Sequence, residues 1–75
     1  MTLSPCLSPD LWLQQLFRSR AATSGGVVRR KRSDIERLVG WPRFERELAR
    51  RGYHAIENAG QVVIFCNQED VRIIR

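Results

Sequence analysis

The hydrophobic period changes at Gly52, and no other feature of this 75-residue chain constrains its fold as much. Before Gly52, most apolar side chains recur at the three- and four-residue spacing of helices. After it come two β-branched and aromatic runs, Tyr53–Glu57 and Gln61–Cys66, separated by residues that tolerate positive φ. The chain therefore predicts a helical first part followed by a β-hairpin with its tip at Ala59-Gly60.

A first helix is predicted to begin after Ser8. Ser8 is a favourable N-cap, Pro9 suits the first helical position, and Asp10 complements the positive end of the helix dipole. An apolar face at helical spacing follows, made of Leu13, Leu16, Phe17 and Ala21, with Trp12 beside Leu16. The helix is predicted to stop at Thr23–Gly26, and residues 1–7 are predicted to form an irregular tail.

A short strand and a second helix are predicted next. Val27–Arg29 is largely β-branched and leads into the basic run Arg30–Arg32. A capping box then starts at Ser33, whose side chain accepts from the N–H of Glu36 while the Glu36 carboxylate accepts from the N–H of Ser33. The second helix is therefore predicted from Ser33 to Gly40, where the glycine ends it.

A third helix is predicted from Trp41-Pro42 to Arg51, with Gly52 as its end. At about 100° per residue, with Arg43 as zero, Phe44 and Leu48 fall near about 100° and 140°. On the same scale Arg46, Arg50 and Glu47 fall near about 300°, 340° and 40°. Phe44 and Leu48 are therefore predicted to be buried, and the outward face is predicted to carry Arg43, Arg46, Glu47 and Arg50.

The net charge of +5 comes from the middle of the chain. Residues 18–51 hold eleven of the 13 Lys and Arg residues but only four acidic residues, and both ends are slightly acidic. Twelve of the 13 are Arg, whose planar guanidinium matches phosphate oxygens and guanine edges in a bidentate way. This pattern favours a polyanion-binding surface, and the alternative is a solvated basic surface.

Several classes of function are not favoured. A chain of this size buries only about 60% of its unfolded surface, so a deep substrate pocket and catalysis are not expected. Cys6, Cys66 and His54 have no zinc-site spacing, so no metal or cofactor is expected, and Cys66 is predicted to be a buried apolar residue. Without a targeting signal or an apolar run of about 18 residues, we expect a cytoplasmic protein with no membrane partner and no small-molecule substrate.

The predicted order of elements is α-β-α-α-β-β, an α+β arrangement of three helices with a small antiparallel sheet in one domain, residues 8–75. Residues 8–66 resemble the winged helix-turn-helix superfamily in this order. In the resemblance, Ser33–Gly40 takes the place of the second helix, Trp41–Arg51 that of the recognition helix, and Asn58–Gln61 that of the wing tip. This tip is short and lacks Lys and Arg, so a weak wing contact is expected.

The resemblance implies a double-stranded DNA-binding protein, a small transcriptional or phage-type regulator that inserts helix 42–51 into the major groove and is nucleoid-associated in the cell. Base edges are expected to be contacted by Arg43, Arg46 and Glu47, with Arg on guanine and Glu47 on cytosine N4. The DNA backbone is expected to be contacted by Arg29, Arg30, Lys31, Arg32, Ser33, Arg50 and Arg51. From the wing, Asn58 and Gln61 are expected to donate to phosphate or to the minor groove.

Two other functions remain open from the sequence. The same Arg surface suits an RNA-binding module, and winged helices also serve as protein-docking modules. A homodimer is expected because one module makes few base contacts, with either Val71–Ile74 or the first helix as the pairing surface. Residues Val71–Arg75 are predicted to form either an additional edge strand or an extended tail.

Overall fold

The computed structural model describes residues 8–75, so the predictions for the tail 1–7 and for Cys6 lie outside the described residues. The described elements are, in chain order, α1 Pro9–Phe17, α2 Arg20–Thr23, β1 Val27–Lys31, α3 Arg32–Leu38, α4 Trp41–Arg51, β2 His54–Asn58 and β3 Gln61–Phe65. The strands form one antiparallel sheet in the order β1-β3-β2. The α+β class is confirmed, but residues 8–75 contain four helices where three were predicted.

Ser19 divides the predicted first helix into α1 and α2. Its hydroxyl donates to the Leu16 carbonyl at 2.8 Å and accepts from the Ala22 N–H at 3.3 Å, so Ser19 ends one helix and caps the next. The change of direction buries Ala22, which is 3% exposed, and leaves Ala21 exposed. The prediction that Ala21 belongs to the apolar face is therefore wrong.

The predicted capping box at Ser33 is also wrong. Strand β1 continues through the basic run to Lys31, and α3 begins at Arg32 without a side-chain cap. The Arg32 N–H donates instead to the Gly60 carbonyl at the hairpin tip, at 2.9 Å. A tertiary hydrogen bond thus replaces the local cap, and Ser33 lies exposed within the first turn of α3. The helix ends at Leu38, two residues before the predicted end at Gly40.

Helix α4 has the predicted bounds. It begins at Trp41 with proline next, and it ends at Gly52, whose φ of 72° is the left-handed conformation that glycine adopts at helix ends. Phe44 is fully buried and Leu48 is partly buried, as the helical angles predict.

The core lies between the helices and the inner face of the sheet. Val28, Val62 and Ile64 point to this face and are buried, and Ile35 of α3 and Phe44 of α4 are both 0% exposed. Cys66 is 3% exposed, which confirms its prediction as a buried residue, and this burial raises the pKa of its thiol.

The hairpin tip is confirmed at Ala59-Gly60. Asn58 pairs with Gln61, and the two residues between them have φ values of 52° and 76°. Two successive positive φ values are typical of a type I′ turn, which suits the twist of a two-residue hairpin.

Residues 66–75 contain no strand, so of the two alternatives for Val71–Arg75 the edge strand is wrong. The Asn67 side chain donates to the Gly25 carbonyl at 3.0 Å, and the Gln68 side chain donates to the Arg51 carbonyl at 3.2 Å. Beyond these anchors every residue except the half-buried Val71 is exposed. Among residues 8–75 no helix is long and apolar enough to cross a membrane.

The hairpin tip offers a matched pair of stability predictions. Ala59→Asn should raise the free energy of unfolding by about 0.5 kcal/mol, and the Tm by about 3 °C, because Asn tolerates positive φ better than Ala. Gly60→Ala should lower it by about 1 kcal/mol through backbone strain alone, since an added Cβ meets no atom within 4 Å. Thermal unfolding followed by circular dichroism measures both, and shifts of the same sign would contradict the assigned turn.

Candidate nucleic-acid interface

The outward surface of α4 is narrow and carries one central cation. Pro42, Arg46 and Ala49 are exposed and lie on the side of the helix opposite Phe44; we call these three residues the α4 strip. Within residues 8–75, Arg46 has no acidic group within ion-pair distance. Its guanidinium is therefore available to an external anion.

Glu47 does not point outward, contrary to the prediction. Its carboxylate accepts from Arg50 at 2.5 Å and from Arg51 at 2.6 Å, and its side chain is only 16% exposed. The hydrogen bond from Arg50 is the main cause that holds the pKa of Glu47 below its ordinary value; burial opposes it, and the hydrogen bond from Arg51 and the charges of both arginines add to the lowering. Glu47 therefore positions two arginines, and its oxygens are already occupied.

Arg50 and Arg51 differ in how far they are open to solvent. The Arg50 side chain is 67% exposed at the edge of α4. The Arg51 side chain is 28% exposed, and its guanidinium stacks 4.4 Å from the ring centroid of Phe17. Arg51 thus covers the core, whereas Arg50 can reach an external phosphate.

Arg43 faces α1. It forms an ion pair with Asp10 in the first turn of that helix, and both side chains remain partly exposed. The pair lies at a polar groove of about 420 Å³ between α1 and α4, lined also by Gln14, Arg18 and Arg50. Arg43 therefore flanks the α4 strip but shares its charge with a carboxylate.

Arg32 joins the hairpin to the start of α4. Its guanidinium lies 4.1 Å from the ring centroid of Trp41, and it forms ion pairs with Glu57 of β2 and, at 3.5 Å, with Glu36 of α3. Its backbone N–H already binds the hairpin tip. Arg32 thus connects the hairpin tip to the N-terminus of α4, through its backbone hydrogen bond to the tip and its stacking on Trp41.

The basic run of β1 is divided between the two faces of the sheet. Arg29 and Lys31 are exposed on the outer face, while Arg30 is partly buried and donates to the Arg29 carbonyl at 2.5 Å. The register places Lys31, Gln61 and Asn58 in one row across the three strands. Three of the predicted backbone and wing contacts are therefore neighbours beside the hairpin tip.

Sequence reasoning missed the partners that occupy several arginines. The Arg32–Glu36 pair has the four-residue spacing that a helix brings together, so it was visible in the sequence. The Arg43–Asp10 and Arg32–Glu57 pairs join distant parts of the chain, and no local pattern indicates them. The stacking of Arg32 on Trp41 likewise depends on the tertiary fold.

Comparison with protein-family models, with curated proteins and with solved structures finds no match to this chain. The described residues also contain no group of three or more His, Cys, Asp or Glu side chains that could hold a metal ion.

The Glu47 contacts generate a prediction about stability and pH. Glu47→Gln should lower the free energy of unfolding at pH 7 by about 1 kcal/mol, because a neutral amide holds Arg50 and Arg51 less strongly. The folded state lowers the pKa of Glu47, so the carboxylate stabilises the fold above its ordinary pKa of 4.5 and loses this effect as pH falls through the lowered value.

Urea unfolding at pH 7 and at about pH 3 tests this sign, since the stabilisation by the carboxylate, and with it the difference between Glu47 and Gln, decreases below the ordinary pKa. Glu45→Gln is the matched control, because Glu45 lies exposed on the same helix without an ion pair among the described residues. A Glu47→Gln effect that persists undiminished at the lower pH would contradict the assigned role of the carboxylate.

Proposed function

We propose that this chain is a winged-helix protein that binds double-stranded DNA, with the α4 strip in the major groove, and that it acts as a small transcriptional regulator. The order of the elements and the sheet order β1-β3-β2 support this assignment. The observation that carries it is Arg46, an exposed cation without an acidic partner among the described residues, centred on the outward surface of α4.

The shape of the α4 strip suits close approach to a duplex. A helix of about 10–12 Å diameter fits a major groove about 12 Å wide. Pro42 and Ala49 are short, so they allow the helix backbone to approach the bases on either side of Arg46. The Arg46 guanidinium then has the reach and geometry to donate to guanine O6 and N7.

Arg43 and Arg50 support this contact from one edge of α4. The Arg43–Asp10 pair lies at the surface, where such pairs contribute only about 0–1 kcal/mol. The Arg50 guanidinium is itself exposed, although its partner Glu47 is not. A DNA phosphate, whose attraction is reinforced by the neighbouring phosphates of the duplex, can replace Asp10 as partner of Arg43. Arg50 can turn to a phosphate while Arg51 stays on Glu47. Arg43 then contacts a base edge or the adjacent phosphate, and Arg50 contacts the phosphate backbone.

The hairpin tip supplies a second, weaker contact. Lys31, Asn58 and Gln61 form one row there, and Ser33 is exposed on the adjoining turn of α3. Arg32 holds this group beside the start of α4. The row therefore donates to phosphates that flank the groove occupied by α4.

The first test compares Arg46→Ala with Arg20→Ala, which removes the same charge from an exposed position on α2. Arg46→Ala should weaken binding to an enriched duplex by about tenfold to a hundredfold, as expected for loss of a bidentate base contact. Arg20→Ala should change it by less than about threefold. Arg46→Lys should retain affinity for random duplex and lose discrimination among sequences, because lysine lacks the planar fork.

Fluorescence anisotropy on duplexes enriched from a random pool measures these changes. Equal affinity of wild type, Arg46→Ala and Arg20→Ala would refute the role of the α4 strip.

The second test is the dependence of binding on salt. Neutralisation of about six phosphates gives a slope of log K against log salt near −5 for duplex DNA. The same titration on duplex RNA distinguishes the nucleic acids, since the deep, narrow major groove of RNA excludes a helix. Tighter binding to RNA would make the chain an RNA-binding module, and the absence of salt-dependent binding to either duplex would favour a protein-docking module.

A further inference from the structure

The outer face of the sheet carries four apolar side chains beside five polar ones, and no helix among the described residues covers it. Val27, Ile56, Val63 and Phe65 point to this face; Val27 and Ile56 are 45% and 42% exposed, and the other two are half-buried. We call these four residues the outer patch. Helices cover the inner face only, yet β3 is apolar on both sides, a pattern typical of strands that are buried on both faces.

The segment Val71–Arg75 places two exposed isoleucines between Arg72 and Arg75, and only Val71 in it is half-buried. Ile73 is 72% exposed and Ile74 is 86% exposed, so neither packs on its own chain. The segment leaves the sheet beyond Cys66, whose N–H donates to the Gly26 carbonyl next to Val27. Five extended residues reach about 17 Å, the length of one strand of this sheet.

We propose that the outer patch binds the outer patch of a second copy of this chain, and that the two Val71–Arg75 segments complete the interface. This pairing uses the outer face of the sheet, which also carries the row Lys31, Gln61 and Asn58, so the paired state covers that row and leaves the α4 strip free. The pairing does not rest on DNA binding.

Charge and register favour a second copy with a two-fold axis parallel to the strands. That rotation reverses the order β1-β3-β2, so β1 of one copy lies over β2 of the other while β3 lies over β3. Arg29 then faces Ile56 of the second copy, and Lys31 faces Asn58. Val27 faces His54, so Arg29, Lys31 and His54 do not meet one another across the two sheets, and Val63 and Phe65 pack on their own counterparts.

The area of the sheet explains why the open segment belongs to the interface. Three strands of five residues make a face of about 14 by 17 Å, or about 240 Å². A stable interface buries about 600 Å² or more on each partner. The sheet face alone therefore falls short, and the exposed Ile73 and Ile74, in the segment that follows β3, supply further apolar surface.

Sedimentation equilibrium of the full chain, from about 1 to about 200 µM, tests the proposal because dimerisation depends on protomer concentration. The variants are Ile56→Lys in the outer patch and Ile73→Lys in the open segment. Leu11→Lys is the matched control, since Leu11 on α1 is 42% exposed, as Ile56 is, and lies on the other candidate pairing surface.

Wild type is expected to dimerise within this range. Each of the two variants should raise the dimer dissociation constant at least about tenfold, while Leu11→Lys should change it by less than about twofold. Circular dichroism confirms folding, and Val27→Lys on the opposite edge strand replaces Ile56→Lys if that variant unfolds. A monomeric wild type, or a dimer that Leu11→Lys weakens and the patch variants do not, overturns the proposal, whatever other partner the face binds.

Discussion

The packing of β3 against two helices holds the rest of this domain in place. Val62 and Ile64 of β3 lie in one buried cluster with Ile35 of α3 and Phe44 of α4, and each of the four side chains is at most 1% exposed. Burial of one such side chain contributes about 1.5–3 kcal/mol, so these few contacts account for much of what a thin core can supply. Because β3 also pairs with both other strands, the same contacts determine where the hairpin tip and α4 lie.

The features predicted correctly depend on neighbouring residues in the chain. The bounds of α4 follow from Pro42 and Gly52, and the turn follows from Ala59-Gly60, because each signal acts within one turn of backbone. The cap predicted at Ser33 is incorrect although Ser33 and Glu36 have the spacing of a capping box. The N–H of Arg32, the first residue of α3, donates instead to the carbonyl of Gly60, which lies 28 residues away in the chain. The residues next to Arg32 in the sequence give no indication of a tertiary hydrogen bond of this kind.

For the charged residues of the candidate interface, the local sequence predicts some side-chain positions but not the ion-pair partners. Helical angles placed Arg46 correctly, because it lies nearly opposite Phe44. Glu47 lies only about 60° from Phe44 on the same scale, so it reaches the boundary of the core, where Arg50 and Arg51 enclose it. The number of charged residues in the sequence does not show which arginines have partners. Arg46 lacks one among the described residues, whereas Arg43 forms an ion pair with Asp10.

The proposed pairing uses the outer face of the sheet, whereas the proposed DNA contact uses α4, which packs on the inner face. Phe44 anchors α4 on the inner face, so two copies joined through their outer patches carry their α4 strips on opposite sides of the pair. Dimeric helix-turn-helix proteins that read palindromes present both recognition helices to one side of the duplex, about 34 Å apart. A pair with opposed strips does not meet that geometry. Each copy would engage its own duplex, so the pair is suited to join two DNA segments, and sequence discrimination would rest on the contacts of a single α4.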